Sequence, residues 1–275
     1  MPNRANLITV LASLALAICT STAHAQAREE GRLLMSSQVL EELRTSRDQF
    51  IPDRLLERAY AIAIIPDLTK VAFFAGGRHG NGAMVVRDKE GRFSNPMFIS
   101  LTGGSFGWQW GVQKTDIVLV FTSRRGVEGI SGGKVTLGAD ASVAAGPVGR
   151  QASAATDASF KAEVYSYSRN RGVFAGIALD GTVLSIDDDA NEAFYKKPGV
   201  TASEIMSGTV ASNDDAAKRF SAAVTTSTRG QQSASAAPAA KREAEASPGA
   251  APPPAHAAGA QTFPLEDQHP GSEPK

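Results

Sequence analysis

One serine of the chain stands in a sequence typical of a catalytic nucleophile. Residues 103–107, Gly-Gly-Ser-Phe-Gly, match the G-x-S-x-G motif, in which the serine occupies a tight turn between a strand and a helix and a later histidine accepts its proton. The large residues after Ser105 alternate with small or polar ones at strand period: Phe106, Trp108, Trp110 and Val112. The histidines that follow, His256 and His269, lie in a region predicted below to be disordered. We therefore expect Ser105 to lie in a strand and predict no hydrolase activity.

A second motif combines a serine with a lysine. Ser131 and Lys134 have the spacing of the S-x-x-K pair of serine acyl enzymes, but two glycines stand between them where that pair needs a helical turn. Gly133-Lys134 also resembles the end of a phosphate-binding loop, yet Val135 replaces the serine or threonine that binds magnesium there. We predict that the chain has no catalytic residue and is not an enzyme.

A glycine-rich stretch at residues 146–150, Gly-Pro-Val-Gly-Arg, has the composition of a phosphate cradle beside an arginine. Pro147 has no N–H group to donate, and no Lys-Ser or Lys-Thr pair follows. We expect a structural bend that fixes the direction of Arg150, and this suits either a buried ion pair or a lipid phosphate.

Metal ligands are sparse in the sequence. The chain has four histidines and one cysteine, and His79 is the only histidine in the region predicted to fold. Residues 187–189 are three aspartates that begin like a calcium-binding loop, but Glu192 stands where such a loop needs glycine. Acids at the start of a helix are the simpler interpretation, because the helix dipole favours negative charge there. We predict no metal ion and no cofactor.

Positive charge is concentrated in the middle of the chain. The whole sequence has 28 basic and 28 acidic residues, so its charge does not favour nucleic acid as a partner. Residues 68–175, however, contain 13 basic and 7 acidic residues. A basic surface attracts lipid phosphates by about 1 kcal/mol per residue near a membrane. The candidate headgroup ligands are Arg124, Arg125, Lys134, Arg150, Arg169 and Arg171, and the same block contains Arg78, Arg87, Arg92 and Lys114. The alternative is a solvated surface balanced by acidic flanks, since sequence does not show which cations share a face.

Two apolar groups are candidates for membrane contact. Trp108 and Trp110 belong to the alternating row, and tryptophans can sit at a bilayer interface; the competing interpretation is a buried core face. Residues 28–47 have the spacing of an amphipathic helix that includes Leu33 and Leu34. Its polar face carries both signs of charge, whereas helices that lie on anionic lipid are strongly basic. We expect this helix to pack mainly on the domain.

The first 25 residues have the features of a secretory signal peptide. Arg4 precedes an apolar run at residues 7–18, and residues 23–25 read Ala-His-Ala, a typical cleavage site. We predict cleavage after Ala25, export to the periplasm or the medium, and peripheral association with a membrane. A lipoprotein signal at Cys19 is the alternative, but Ile18 is bulky where such signals have a small residue. Cleavage after Ala25 also removes the cysteine, and with it any disulfide.

Residues 26–220 are predicted to form a single α+β domain. Segments that favour strands are separated by glycine-rich turns; they are 71–74, 83–87, 97–101, 105–113, 117–121, 134–137, 162–167, 173–179 and 182–186. Asp180-Gly181 is the strongest hairpin signal. Helices are predicted at both ends, at 28–47, 54–60 and 188–195, with a capping box at 201–204. This order favours a mainly antiparallel sheet or barrel-like meander flanked by helices.

Residues 221–275 differ in composition from the rest. They are rich in alanine, serine and proline and offer little apolar surface to offset the entropy of ordering. We predict a disordered tail, which could reach a protein of the cell envelope.

The order of several motifs is similar to that of the SYLF domain family. The motifs are Gly76-Gly77 to Gly82, Phe93-Ser94-Asn95-Pro96, Gly103-Gly104-Ser105 to Gly111, Gly146 to Arg150, Tyr165 to Arg169, Gly172 to Gly176 and Asn191 to Tyr195. The resemblance covers about residues 31–208. It implies a binding module without catalytic residues: eukaryotic members bind phosphoinositide-rich membranes, and some yeast members bind actin filaments. Two features depart from the family, namely Phe93 in place of tryptophan and an N-terminal helix that is not basic.

These observations predict a non-enzymatic module that binds anionic phospholipid peripherally through the basic middle of the chain. The alternative is a structural or protein-binding module of the cell envelope, similar to an actin-binding scaffold and without lipid specificity. Actin as a partner follows from the family resemblance alone.

Overall fold

The computed structural model describes residues 25–43, 51–72, 75–106, 111–148, 161–170 and 173–229. Within these residues one nine-stranded sheet is flanked by helices. The helices are α1 (residues 25–43), α2 (Asp53–Glu57), α3 (Arg125–Ser131), α4 (Asp188–Tyr195), α5 (Ala202–Met206) and α6 (Asp215–Thr228). The strands are β1 (Ala61–Ala72), β2 (Ala75–Val86), β3 (Met97–Phe106), β4 (Gly111–Phe121), β5 (Lys134–Thr136), β6 (Val143–Ala145), β7 (Val164–Asn170), β8 (Val173–Gly176) and β9 (Thr182–Ile186). The predicted α+β class with a mainly antiparallel sheet is confirmed.

The sheet is curled rather than flat. Its strand order is β5-β9-β3-β2-β1-β4-β7-β6, and β8 also pairs with β7. In a flat sheet six strand spacings, about 29 Å, would separate β8 from β9. The connection at residues 177–181 spans at most roughly 20 Å. The two ends of the sheet must therefore approach each other, which gives the half-barrel expected of a barrel-like meander.

The hairpin predicted at Asp180-Gly181 is wrong. Gly181 does form a turn, with a φ of 71°, but the flanking strands do not pair with each other. β8 pairs with β7, and β9 lies between β3 and β5. Long-range pairing buries Leu184 completely, and this burial outweighs the local turn signal.

Strand β1 is one long strand where the sequence suggests an apolar run that ends at Pro66. The register of β1 with both neighbours shifts between Ile64 and Thr69, which marks a bulge. Asp67 adopts a φ of 54° there, and its N–H donates to Asp116 Oδ1 at 2.9 Å. A bulge accommodates a proline because a residue without an N–H group is tolerated where the ladder is interrupted. The strand can then continue to Ala72.

The sheet buries both of its faces. One face packs against α1, α2, α4 and α6 through a cluster that includes Leu40, Phe98, Tyr167 and Phe220. The other face packs against α3 and α5, with Phe121 among its buried residues. Each fully buried large apolar side chain contributes about 1.5–3 kcal/mol. Without a disulfide, these two cores must hold the fold.

The predicted continuous strand at 105–113 is also wrong. Phe106 ends β3 and Val112 lies in β4, and β2 and β1 separate these two strands in the sheet. β2 runs antiparallel to β1 and β3, and β4 runs antiparallel to β1, so β3 and β4 run in opposite directions. Trp108 and Trp110 stand between these strands in the sequence, outside the described residues.

Two glycines permit close approach of backbone and ring. A Cβ atom at Gly82 would lie 2.1 Å from the carbonyl oxygen of Ile64, and one at Gly146 would lie 2.0 Å from the ring of Tyr167. Only glycine fits at such contacts. Gly146 is therefore a packing position, as expected of the stretch at 146–149, of which 149 and Arg150 lie outside the described residues.

The last helix extends beyond the predicted end of the domain. Asp214 caps α6 by accepting from the N–H groups of Ala216 and Ala217, and the helix continues to Thr228, eight residues past Phe220. Val224 is fully buried in this added part, so an alanine-rich and threonine-rich sequence is ordered here by one apolar contact surface. The rest of the predicted tail, from residue 230, lies outside the described residues.

Candidate functional site

The predicted headgroup cations are spread over several elements, and three of the four that the structure describes are paired with acids. Arg124 precedes α3 and its Nε lies 3.2 Å from Glu128 Oε1, while the Nε of Arg125 lies 3.6 Å from Glu163 Oε1. Lys134 is exposed at the start of β5. Arg171, like Arg150, lies outside the described residues. The described cations of this set therefore carry less uncompensated charge than the sequence suggests.

Arg169 is a structural residue rather than a surface cation. Its side chain is 15% exposed, and its Nε donates to Asp116 Oδ2 at 2.6 Å. A second bond joins Arg169 to Glu42 on α1. Arg169 and Asp116 lie opposite each other in the β4–β7 register, so this group ties α1 to two central strands. The expectation that Arg169 binds a headgroup does not fit a guanidinium held on both sides by carboxylates.

The N-terminal helix docks on the sheet by its apolar stripe. Leu33 is fully buried, whereas Leu34 is 44% exposed, so only the second of the two predicted contact leucines faces water. Near the start of the helix, Arg32 Nη1 donates to Asp187 Oδ2 at 3.0 Å, and Arg32 also pairs with Glu29. Burial raises the pKa of the Glu29 carboxyl. The predicted packing of this helix on the domain is confirmed.

Two exposed valines lie side by side at one end of the sheet. We call this end the sheet tip and define it as residues 69–72 of β1, 75–79 of β2 and 111–114 of β4. Val71 lies directly opposite Val112, and directly opposed residues share a face. Val71 is 50% exposed and Val112 is 67% exposed. They form one apolar surface in water.

Cations flank the two valines. Lys114 lies two residues from Val112 and therefore on the same face, with its Nζ 3.9 Å from Asp67 Oδ2. On the other face Lys70 lies opposite Arg78. One Nη of Arg78 donates to a backbone carbonyl at 3.3 Å, but its Nε is buried without a hydrogen-bond partner, and burial lowers its pKa. Like charges directly opposite each other repel, so an anion near Lys70 and Arg78 would stabilise both.

The described residues contain no arrangement for the chemistry considered at the outset. Ser105 lies within β3, which continues to Phe106, so the strand-turn-helix geometry of a nucleophile is not formed. Among these residues no three His, Cys, Asp or Glu side chains are placed to hold a metal ion. No described helix is both long and apolar enough to cross a membrane.

Comparison with known proteins gives a consistent match. Residues 102–227 match the Ysc84 family, described as Las17-binding protein actin regulator. LAS seventeen-binding protein 3 of Saccharomyces cerevisiae is 40% identical over 166 residues, which is 59% of this chain and 36% of that protein. SH3 domain-containing YSC84-like protein 1 of Xenopus laevis is 33% identical over 168 residues, which is 61% of this chain and 50% of that protein. Residues 102–227 of this chain therefore resemble the Ysc84 family.

The match confirms the resemblance to the SYLF family drawn from the glycine and aromatic motifs. The Ysc84 match runs from β3 to α6, so it includes Val112 but not β1 and β2, the central strands of the sheet. The chain spans about a third to a half of the length of the relatives named above. The family is described as a regulator of actin and not by a catalytic activity.

Sequence reasoning missed the sheet tip. Val71 was assigned to a short isolated strand and Val112 to a row with the tryptophans, so nothing placed the two together. The available signal was the pair of glycines at 76 and 77. Glycines in a strand have no side chains to cover those of the neighbouring strand. Gly77 of β2 does lie opposite Val71 of β1, which is exposed.

Proposed function

We propose that this domain is a non-enzymatic module that binds anionic phospholipid peripherally through the sheet tip. The observation that carries the proposal is the exposed Val71–Val112 pair with cations on both faces. An apolar surface among cations suits the boundary between lipid headgroups and acyl chains. The sheet tip replaces the larger basic surface expected from the sequence, because Arg124, Arg125 and Arg169 are paired with acids.

The expected binding is weak and reversible. Burying the exposed parts of two valines contributes about 2 kcal/mol, and three cations near an anionic surface contribute about 1 kcal/mol each. A total near 5 kcal/mol corresponds to a dissociation constant of roughly millimolar order or slightly tighter. The cationic part must weaken as salt rises, since exposed charges are screened over about 10 Å at 0.1 M salt.

Co-sedimentation with vesicles tests the proposal. The full-length protein is mixed with phosphatidylcholine vesicles with and without phosphatidylglycerol, at low and high salt. Val71→Ser with Val112→Ser is expected to weaken binding to anionic vesicles about tenfold or more, from the lost apolar burial. The matched control is Leu34→Ser with Met35→Ser, since these residues are 44% and 45% exposed on α1. Equal losses from both variants, or no binding by the unmodified protein, would contradict the proposal.

The proposal includes export and membrane association outside the cytoplasm. The signal features of residues 1–25 support it. N-terminal sequencing of the mature protein is expected to begin at Gln26. An intact N-terminus, or a lipidated Cys19, would contradict this part of the proposal.

A second candidate function is binding to a protein partner. It is favoured by the names of the relatives, which describe Las17 binding and actin regulation. Pelleting of the protein with filamentous actin tests it directly. Deletion of residues 231–275, which leaves α6 whole, tests whether the predicted tail reaches a partner. If that deletion abolishes localisation but leaves vesicle binding intact, the tail carries the interaction.

A further inference from the structure

Arg87 has no acidic partner within the described part of the chain. It follows β2, and its guanidinium lies over the ring of Phe93, 4.7 Å from the centroid. The Nε atom is buried and has no hydrogen-bond partner. A buried donor left unsatisfied costs about 1–3 kcal/mol. Burial also lowers the pKa of Arg87, as expected of a guanidinium that has lost water without gaining a counter-charge.

Arg87 lines a groove of about 470 Å³. The groove lies between the end of β2, the start of α3 and the end of α5. Its lining residues include Tyr60, Arg87, Lys89, Arg124, Ser203 and Ser207. A volume of this size is typical of small-molecule sites, and the Ser203 hydroxyl in its lining is a further donor for an anion.

The acids that line the groove are already paired. Asp88 and Glu90 bind Arg92, at 3.1 and 3.7 Å, and Arg92 does not line the groove. Glu128 binds Arg124 at 3.2 Å. Arg87 and Lys89 are therefore the groove cations that form no ion pair with a described acid, and Arg87 is the more buried of the two. An oxyanion could bind its guanidinium through two parallel hydrogen bonds.

The groove lies far from the sheet tip. Gly77 of the tip and Arg87 stand at opposite ends of β2, a strand of 12 residues, which spans roughly 35–40 Å. A membrane at the tip would thus leave the groove on the solvent side. The ligand that reaches Arg87 is accordingly a soluble molecule and not the lipid bound at the tip.

We propose that this groove binds a small soluble oxyanion, a phosphate monoester or a carboxylate, with Arg87 as its principal ligand. The only link to the proposed function is the assignment of the lipid surface to the opposite end of the sheet. Arg87 supplies two donors to the anion, and Arg124 supplies a third across the groove when Glu128 releases it.

Calorimetric titration of the full-length protein with inorganic phosphate and with citrate tests this site. Arg87→Gln is expected to weaken binding by about tenfold or more, because a hydrogen bond to a charged group is lost. Arg219→Gln is the matched control, as Arg219 is exposed on α6 and does not line the groove, and is expected to bind like the unmodified protein. Tighter phosphate binding identifies a phosphate ligand, and tighter citrate binding identifies a carboxylate.

Two further measurements keep the proposal testable. Glu128→Gln frees Arg124 and is expected to tighten anion binding severalfold, which provides a test even if Arg87→Gln does not fold. Binding of Arg87→Gln to anionic vesicles is expected to be unchanged, and this separates the groove from the sheet tip. The proposal is overturned if neither anion binds, if Arg87→Gln and Arg219→Gln bind alike, or if Glu128→Gln leaves binding unchanged.

Discussion

Replacing Arg169 by glutamine separates a structural role for this residue from the headgroup role that the sequence suggests. The Arg169 side chain is 15% exposed and that of Asp116 is 13% exposed, so the substitution leaves a mostly buried carboxylate without its cationic partner. Breaking a buried pair from one side costs about 3–5 kcal/mol. Glu42 is 41% exposed and regains water, which places the expected loss near 3 kcal/mol.

The matched control for Arg169→Gln is Arg124→Gln. Arg124 and Glu128 are 67% and 62% exposed, and an exposed pair of this kind contributes about 0.5 kcal/mol or less. Urea denaturation followed by circular dichroism measures both variants. With a slope near 2 kcal/mol per molar urea, we expect a fall in midpoint of roughly 1.5 M for Arg169→Gln and almost none for Arg124→Gln.

A double variant distinguishes loss of the ion pair from general disruption. Arg169→Gln with Asp116→Asn removes both charges, so its loss of stability is expected to be smaller than the sum of the two single losses. Folded Arg169→Gln is also expected to sediment with anionic vesicles like the unmodified protein. If it is as stable as Arg124→Gln but fails to bind vesicles, Arg169 is a lipid ligand and the structural argument is refuted.

Two further predictions concern packing and pH. Gly82→Ala places a Cβ atom 2.1 Å from the carbonyl oxygen of Ile64 and is expected to lower the free energy of unfolding by about 3 kcal/mol or more. The control is Gly104→Ala, whose Cβ meets nothing within 4 Å, and it is expected to change stability by less than about 1 kcal/mol in urea denaturation. Equal effects of the two variants would contradict the close approach at Gly82. The pKa of Glu204 is lowered from 4.5 to about 2, chiefly by a hydrogen bond from Lys197. The ionised carboxyl therefore stabilises the fold above about pH 4.5, and this contribution is lost as the pH falls through 2. Glu204→Gln is expected to flatten the fall in urea midpoint between pH 4.5 and 2, and an unchanged acid profile would show that Glu204 is not stabilised in the fold.

The features that sequence predicted best are those set by neighbouring residues. The Thr201–Glu204 capping box forms with both of its bonds, and Asp187 caps α4 by accepting from the N–H of Ala190. The apolar stripe of α1 buries Leu33, as its spacing predicts. Each of these depends on contacts within one or two helical turns, which the sequence displays directly.

The candidate sites depend on pairings that sequence does not display. Val71 and Val112 meet only because β1 and β4 are neighbours, and Arg169 meets Asp116 only in the β4–β7 register. The same kind of pairing overrode the turn signal at Asp180-Gly181. Strand order and register arise from the whole core, so an exposed pair or a buried pair of this type cannot be read from local patterns.

The pairing of β9 with β3 has a consequence for the order in which the chain can fold. β9 pairs with β3 although about 80 residues separate the two strands along the chain, and such non-local pairing is slow, on the order of milliseconds to seconds. Until β9 arrives, the edge of β3 presents unpaired backbone groups, which can pair with another chain. Assembly of the sheet must therefore wait for nearly the whole domain to be available, and an incompletely synthesised chain exposes an edge that favours aggregation.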